Sequence, residues 1–189
     1  MNRVLRFQVH LNRIKKHIMK NMKIALGAAL LLFVGTTSFA QTENIVGVAA
    51  GNENFSTLVT AVKSADLVGT LSSEGPFTVF APTNDAFAKL PDGTVSNLLE
   101  PASEKALIGV LTYHVVAGKY DAAAVIEAIK GSNGSFAIET VQGGVILLSL
   151  EGEKVILTDA KGGRSTVVMA DVPASNGVIH AIDTVVMPM

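Results

Sequence analysis

Hydrophobic and polar positions repeat along the chain with two periods, one early and one late. Phe55, Leu58, Val59 and Val62 fall at i, i+3, i+4 and i+7, which puts them on one face of a helix. Leu67 to Leu71 predicts a short second helix, broken by Gly75-Pro76. Thr78 to Ala81 is β-branched and aromatic and reads as a buried strand. Pro82 ends it by removing a backbone donor and holding Ala81 extended. Thr83 is placed to cap the helix that follows, with Asp85 in its first turn where the helix dipole favours a negative charge. Leu90 to Gly93 is a turn, and Val95, Leu98 and Leu99 predict a short helix before Pro101. Ser103 is a capping candidate for a helix burying Ala106, Leu107, Val110 and Leu111 and ending at Tyr113-His114. Asp121 is placed to cap another, with Val125, Ile126 and Ile129 facing inward.

After Gly131 the pattern shifts to strands. Phe136–Val141, Val145–Leu150, Val155–Thr158 and Thr166–Ala170 are separated by Gly143-Gly144, Gly152 and Gly162-Gly163, short glycine gaps that signal hairpins. Asn176-Gly177 turns into a last strand, Val178 to Met187. Helices first and an antiparallel meander afterwards predict an α+β fold. The early strand at Thr78 then has to pair with late strands, so the fold closes at long range. Gln41 to Asn44 reads as a short polar leader.

The first 40 residues follow neither period. Ile24 to Val34 is an unbroken apolar run, far shorter than the ~20 residues that span a bilayer. Basic residues precede it and Ser38-Phe39-Ala40 follows, so residues 1–40 read as a secretory signal cleaved after Ala40. The basic region is long, and Met22 (or Met19) would open a signal of ordinary length. Residues 41–189 form the exported domain, with a periplasmic or extracellular, cell-surface destination.

Cleavage changes the charge. All 16 acidic residues follow residue 42, while seven of the 15 Lys and Arg lie at or before Lys23, so the exported part carries eight cations and a formal charge of −8. Phosphate backbones and anionic lipid need clustered cations, which argues against both as partners. The same charge disfavours self-association, and a monomer is expected. There is no cysteine, hence no disulfide and no thiol nucleophile, and no apolar span follows the signal.

Three segments carry a family resemblance. Thr78-Val-Phe-Ala-Pro-Thr-Asn-Asp-Ala-Phe87, Tyr113-His114-Val115-Val116 and Asn176-Gly177-Val-Ile-His180-Ala-Ile-Asp183-Thr-Val-Val-Met-Pro188 resemble, in order, the three boxes of the fasciclin (FAS1) domain. The resemblance runs from about Asn44 onward. It implies a β-sandwich-like wedge of mainly antiparallel strands with short helices packed along it. It also implies a non-enzymatic adhesion function, through protein or glycan partners at the cell surface or in its matrix. In animal members the Tyr-His motif is implicated in integrin recognition, which makes Tyr113 and His114 candidate binding residues here, with Asp183 beside them. A bacterial-looking signal fits poorly with integrins as the partner.

The residues read without the resemblance give mostly structural roles. His114 stands at a helix end, where an imidazole can bond a free carbonyl, and reads as a structural histidine supporting the core. Thr83, Asn84 and Asp85 suit helix capping, and Asn176-Gly177 suits a turn. By alternation Asp183 shares a strand face with Ile179, Ala181 and Val185, and His180 lies opposite with Val178 and Ile182. No His-Glu-x-x-His, calcium loop, nucleophile elbow or phosphate-binding glycine loop occurs, so no cofactor, metal or catalytic residue is expected. A second reading is a carrier of a small apolar molecule, which needs an internal pocket of roughly 300 Å³ or more.

Overall fold

The structure, a computed structural model, describes residues 43–91 and 93–189. The predicted signal at residues 1–40 lies outside the described residues. The described residues open with a helix that no period predicted, directly after the polar stretch ending at Asn44: α1 (Ile45–Ala50), capped by the Asn44 side chain, which accepts from the Gly47 N–H. It buries Ile45, Val48 and Ala49. A 3₁₀ turn (Glu53–Phe55) leads into α2 (Ser56–Ser64), whose Leu58, Val59 and Val62 are buried as their spacing requires. Then come α3 (Val68–Leu71), β1 (Phe77–Pro82), α4 (Asn84–Ala88) and α5 (Thr94–Leu98).

α6 (Glu104–Tyr113) runs directly into β2 (Val115–Ala117), a strand too short to carry a period of its own. Ser103 precedes α6 but its side chain makes no cap bond, unlike the prediction; a 3₁₀ turn (Pro101–Ser103) runs straight into the helix there. α7 (Ala122–Gly131) is capped by Asp121, which accepts the Ala124 N–H at 2.8 Å. Five strands follow: β3 (Ser135–Glu139), β4 (Val145–Glu151), β5 (Lys154–Thr158), β6 (Arg164–Ala174) and β7 (Gly177–Ile182).

All seven strands belong to one sheet in the order β2-β1-β7-β6-β5-β4-β3. The late strands form the expected antiparallel meander, and β1 inserts beside β7 in parallel, Phe77 opposite Gly177 and Phe80 opposite His180. The Val141 N–H donates to the Val115 carbonyl at 2.7 Å, so the chain after β3 reaches back to β2 and the sheet nearly closes. The architecture is the expected α+β wedge.

Both neighbours β1 and β7 are buried on two faces, which suits the parallel pair. Val79, Ala81, Ile179 and Ala181 pack against Phe55, Leu58, Val62, Leu107 and Leu111 from the helices. Phe80 and Ile182 face the other way, onto Tyr113, Ile129, Ile146, Leu148 and Leu157. β7 ends at Ile182, earlier than the alternation predicted, so Asp183 lies just beyond the strand and half-buried rather than on an apolar face.

Candidate functional site

The residues of the first and third boxes act as clips between distant segments. Thr83 caps α4 by accepting the Ala86 N–H. Asn84 does not cap its own helix. Its Oδ1 accepts the Thr57 N–H at 3.0 Å and the Ser56 hydroxyl at 3.2 Å, and its Nδ2 donates to the Glu53 carbonyl at 2.8 Å. It thereby supplies the cap that α2 lacks locally, since Phe55 precedes that helix. Asp85 stays exposed in the first turn of α4.

Asn176 repeats the device. Its Oδ1 accepts the Ile45 N–H at 2.9 Å, and its Nδ2 donates to the carbonyls of Leu71 and Ser73, each at 2.9 Å. One amide joins the start of α1 to the end of α3 across 131 and 105 residues of sequence. Asn176→Ala is expected to cost about 2–3 kcal/mol, because three backbone groups lose a partner at once. Urea denaturation of the variant against its parent measures it.

Tyr113 and His114 are both enclosed. Tyr113 is 0 % exposed; its hydroxyl donates to the Val145 carbonyl at 2.7 Å and accepts the Ala160 N–H at 3.2 Å. Burial raises its pKa, and the Ala160 N–H offsets part of the rise. A Cβ at Gly144 would stand 2.6 Å from the Tyr113 ring, so a glycine there makes room for it. His114 is 2 % exposed. Its Nδ1–H donates to the Val110 carbonyl at 2.8 Å and its Nε2 accepts the Val186 N–H at 3.2 Å, which fixes one neutral tautomer. Burial pushes its pKa down to about 4, with the Val110 carbonyl and the Asp159 carboxylate opposing the fall.

His180 is equally occupied: its Nε2–H donates to the Tyr120 carbonyl at 2.8 Å, its Nδ1 accepts the Asp171 N–H at 3.3 Å, and its ring stacks on Phe80. Both ring nitrogens of both histidines are thus spent on backbone groups, and neither is free to act as a general base. Among the described residues no group of three His, Asp or Glu side chains is placed to hold a metal ion. No described helix is long and apolar enough to cross a membrane.

Asp183 is the candidate that reaches solvent. Its Oδ1 accepts the Thr166 N–H at 2.8 Å and the Thr184 hydroxyl at 3.1 Å, and its Oδ2 pairs with Lys89 at 3.4 Å. Burial alone would raise its pKa, but the Thr166 N–H, the Thr184 hydroxyl and Lys89 together hold the carboxyl below its usual value. It stands in an open cleft of ≈ 500 Å³ with Asn54, Asp85, Lys89, Val168 and Met169. Val168 and Met169 are 58 % and 46 % exposed, beside two irregularities in the β6 register. Sequence reasoning passed over both as ordinary strand residues. Their exposure comes from the bulges, which leave no residue-type signal. Inside the fold, the cavity between α1, α2 and the sheet measures only ≈ 30 Å³ and is lined by apolar side chains and His114.

The chain belongs to the fasciclin domain family: the sequence profile of the Fasciclin domain matches residues 53–188. It is 54% identical over 144 residues to Protein sll1483 of Synechocystis, covering 76% of this chain and 73% of that one. It is 38% identical to transforming growth factor-beta-induced protein ig-h3 of Sus scrofa, covering 76% of this chain but 19% of the larger protein. Among solved structures, a FAS1 domain pair from the insect cell adhesion molecule fasciclin I superposes with a TM-score of 0.68. That match has 18% identity and covers 78% of this chain and 51% of that one.

Proposed function

We propose that the exported domain is a non-enzymatic FAS1 module that mediates adhesion by binding a protein or glycan at the cell surface or in its matrix. The observation that carries this reading is family membership across residues 53–188, in a family one of whose solved structures is of a cell adhesion molecule. The open cleft supports a place for that contact. Asp183, Lys89, Val168 and Met169 line an open cleft and offer both charge and apolar area, the mixture that interface cores and rims use. Tyr113 and His114 enter this function through the scaffold they hold together, because neither side chain has surface to give a partner. A carrier of a small apolar ligand is the weaker reading, since ≈ 30 Å³ is about a tenth of the space such a ligand needs.

The test is binding of the labelled domain to intact cells or isolated matrix from its source. Val168→Asp and Met169→Asp change exposed side chains, so both variants are expected to melt like the parent. They are expected to bind at least ~10-fold more weakly, the effect of losing one interface anchor. Undiminished binding by both variants would remove the cleft from the account.

A further inference from the structure

The segment Thr184 to Met187 follows β7 after a bend at Asp183-Thr184 and is fastened differently from the strand. Three of its backbone N–H groups bond to side chains instead of a neighbouring strand's carbonyls. The Thr184 N–H donates to the Ser165 hydroxyl at 3.1 Å, the Val186 N–H to His114 Nε2 at 3.2 Å, and the Met187 N–H to Asp159 Oδ2 at 2.9 Å. The segment also fills the core. Val185 is 5 % exposed and packs with Ala86 and Val110; Val186 is 1 % exposed and packs with Phe80 and Tyr113.

We propose that Thr184–Met187 is an acid-released latch, held closed by neutral His114 and opened when that ring takes up a proton. The reason is geometric. The Nε2 lone pair that receives the Val186 N–H is the site where the second proton must go. Nδ1 already carries its proton, directed at the Val110 carbonyl, a terminal group of α6 with no helical partner. A protonated ring therefore points one N–H at another, in an enclosed part of the core, and the bond that anchors the middle of the segment is lost.

The groups facing His114 moderate this outcome without reversing it. From α6 it meets only the Val110 carbonyl, and Tyr113 next to it sends its hydroxyl away to Val145 and Ala160. From the loop after β5, Asp159 attracts the charged ring, but its carboxylate is held by the N–H groups of Lys161, Gly163 and Met187. At the start of the segment, Asp183 pairs with Lys89 and serves as the fixed point about which the latch moves. His180 is engaged elsewhere in the sheet, with Tyr120 and Asp171. The opened form leaves behind an apolar socket walled by Phe80, Tyr113, Ala86 and Val110. This device stands apart from the adhesion reading and holds whether or not the cleft binds a partner.

The sign and size follow from linkage. His114 titrates near 4 with the latch closed and near its ordinary 6.5 once released. The open form therefore binds more protons between these values. Closure is fully stabilised above 6.5 and weakens as the pH falls toward 4. From pH 7 to pH 4 the open fraction rises about 100-fold.

Amide hydrogen exchange on the processed protein reads this directly, at Val186 and Met187 against Ile179 in the middle of β7. Corrected for intrinsic rates, protection at Val186 and Met187 is expected to fall about 100-fold between pH 7 and pH 4. At pH 4 both should exchange faster than Ile179 and be indifferent to low denaturant, the mark of a local opening. His114→Gln is expected to flatten the pH dependence at Val186. Should that variant not fold, the imidazole resonance of His114 in the parent must titrate together with the Val186 amide. Exchange of all three amides through one denaturant-sensitive opening, or a His114 titration that leaves Val186 unchanged, would overturn the proposal.

Discussion

Gly177→Ala is expected to keep the domain from folding. Gly177 opens β7 opposite Phe77 in the buried parallel pair. A Cβ on Gly177 falls within the carbonyl oxygen of Phe77, 2.9 Å from its carbon and 3.0 Å from Ile45 Cδ1. The obstacle is backbone of β1, so it cannot be relieved by a rotamer change. Moving β1 away would break its ladder to both β7 and β2. Overpacking against side chains costs ~1–3 kcal/mol, and a backbone obstacle costs more. A loss above ~4 kcal/mol is expected, a large share of the ~5–15 kcal/mol that stabilises a domain. Circular dichroism melting of whatever soluble protein remains is the check. A variant that melts within a few degrees of the parent would mean that the β1–β7 pair is not built as described.

Tyr113→Ala is the second large effect, expected at ~3–5 kcal/mol by urea denaturation. The side chain sits fully buried among Ile138, Ile146, Leu157 and Val186, and both lone-pair and donor capacity of its hydroxyl are used. Tyr113→Phe separates the two contributions. It keeps the ring and leaves the Val145 carbonyl and Ala160 N–H without their shared partner, at ~1–3 kcal/mol. A weakened adhesion phenotype in either variant then has to be read alongside its stability. A Tyr113→Ala variant as stable as the parent would return this residue to the surface.

The order of helices and strands was legible because each period is carried by residues whose burial the fold respects. Leu58, Val59 and Val62 line a helix face, and the glycine-separated strands pair as hairpins. What the sequence concealed has physical reasons. α1 is only six residues long, too short for a period, although Asn44 before Ile45 is the cap signal that marks it. β2 has three residues and is defined by its partner β1 alone. Asn84 and Asn176 look like local caps and turns, yet they bond to groups 27 and more residues away, which no local pattern encodes. Asp183 was placed on an apolar strand face because alternation was carried past Ile182, where side chains instead of a strand take over the hydrogen bonds. The family boxes located the parts of the chain that matter most to the fold. They did not reveal that Tyr113 and His114 face inward while Val168 and Met169 face outward, since exposure is decided by how β6 bulges and how α6 docks.

The central claim is that the interior of this domain is full and its work is done at the surface. The direct measurement is a native mass spectrum of the protein purified from its own source without denaturant. The account predicts the bare polypeptide mass, as an internal space of ≈ 30 Å³ requires. A co-purifying mass of a few hundred daltons that leaves on unfolding would contradict it. The function would then lie with an apolar ligand between the helices and the sheet.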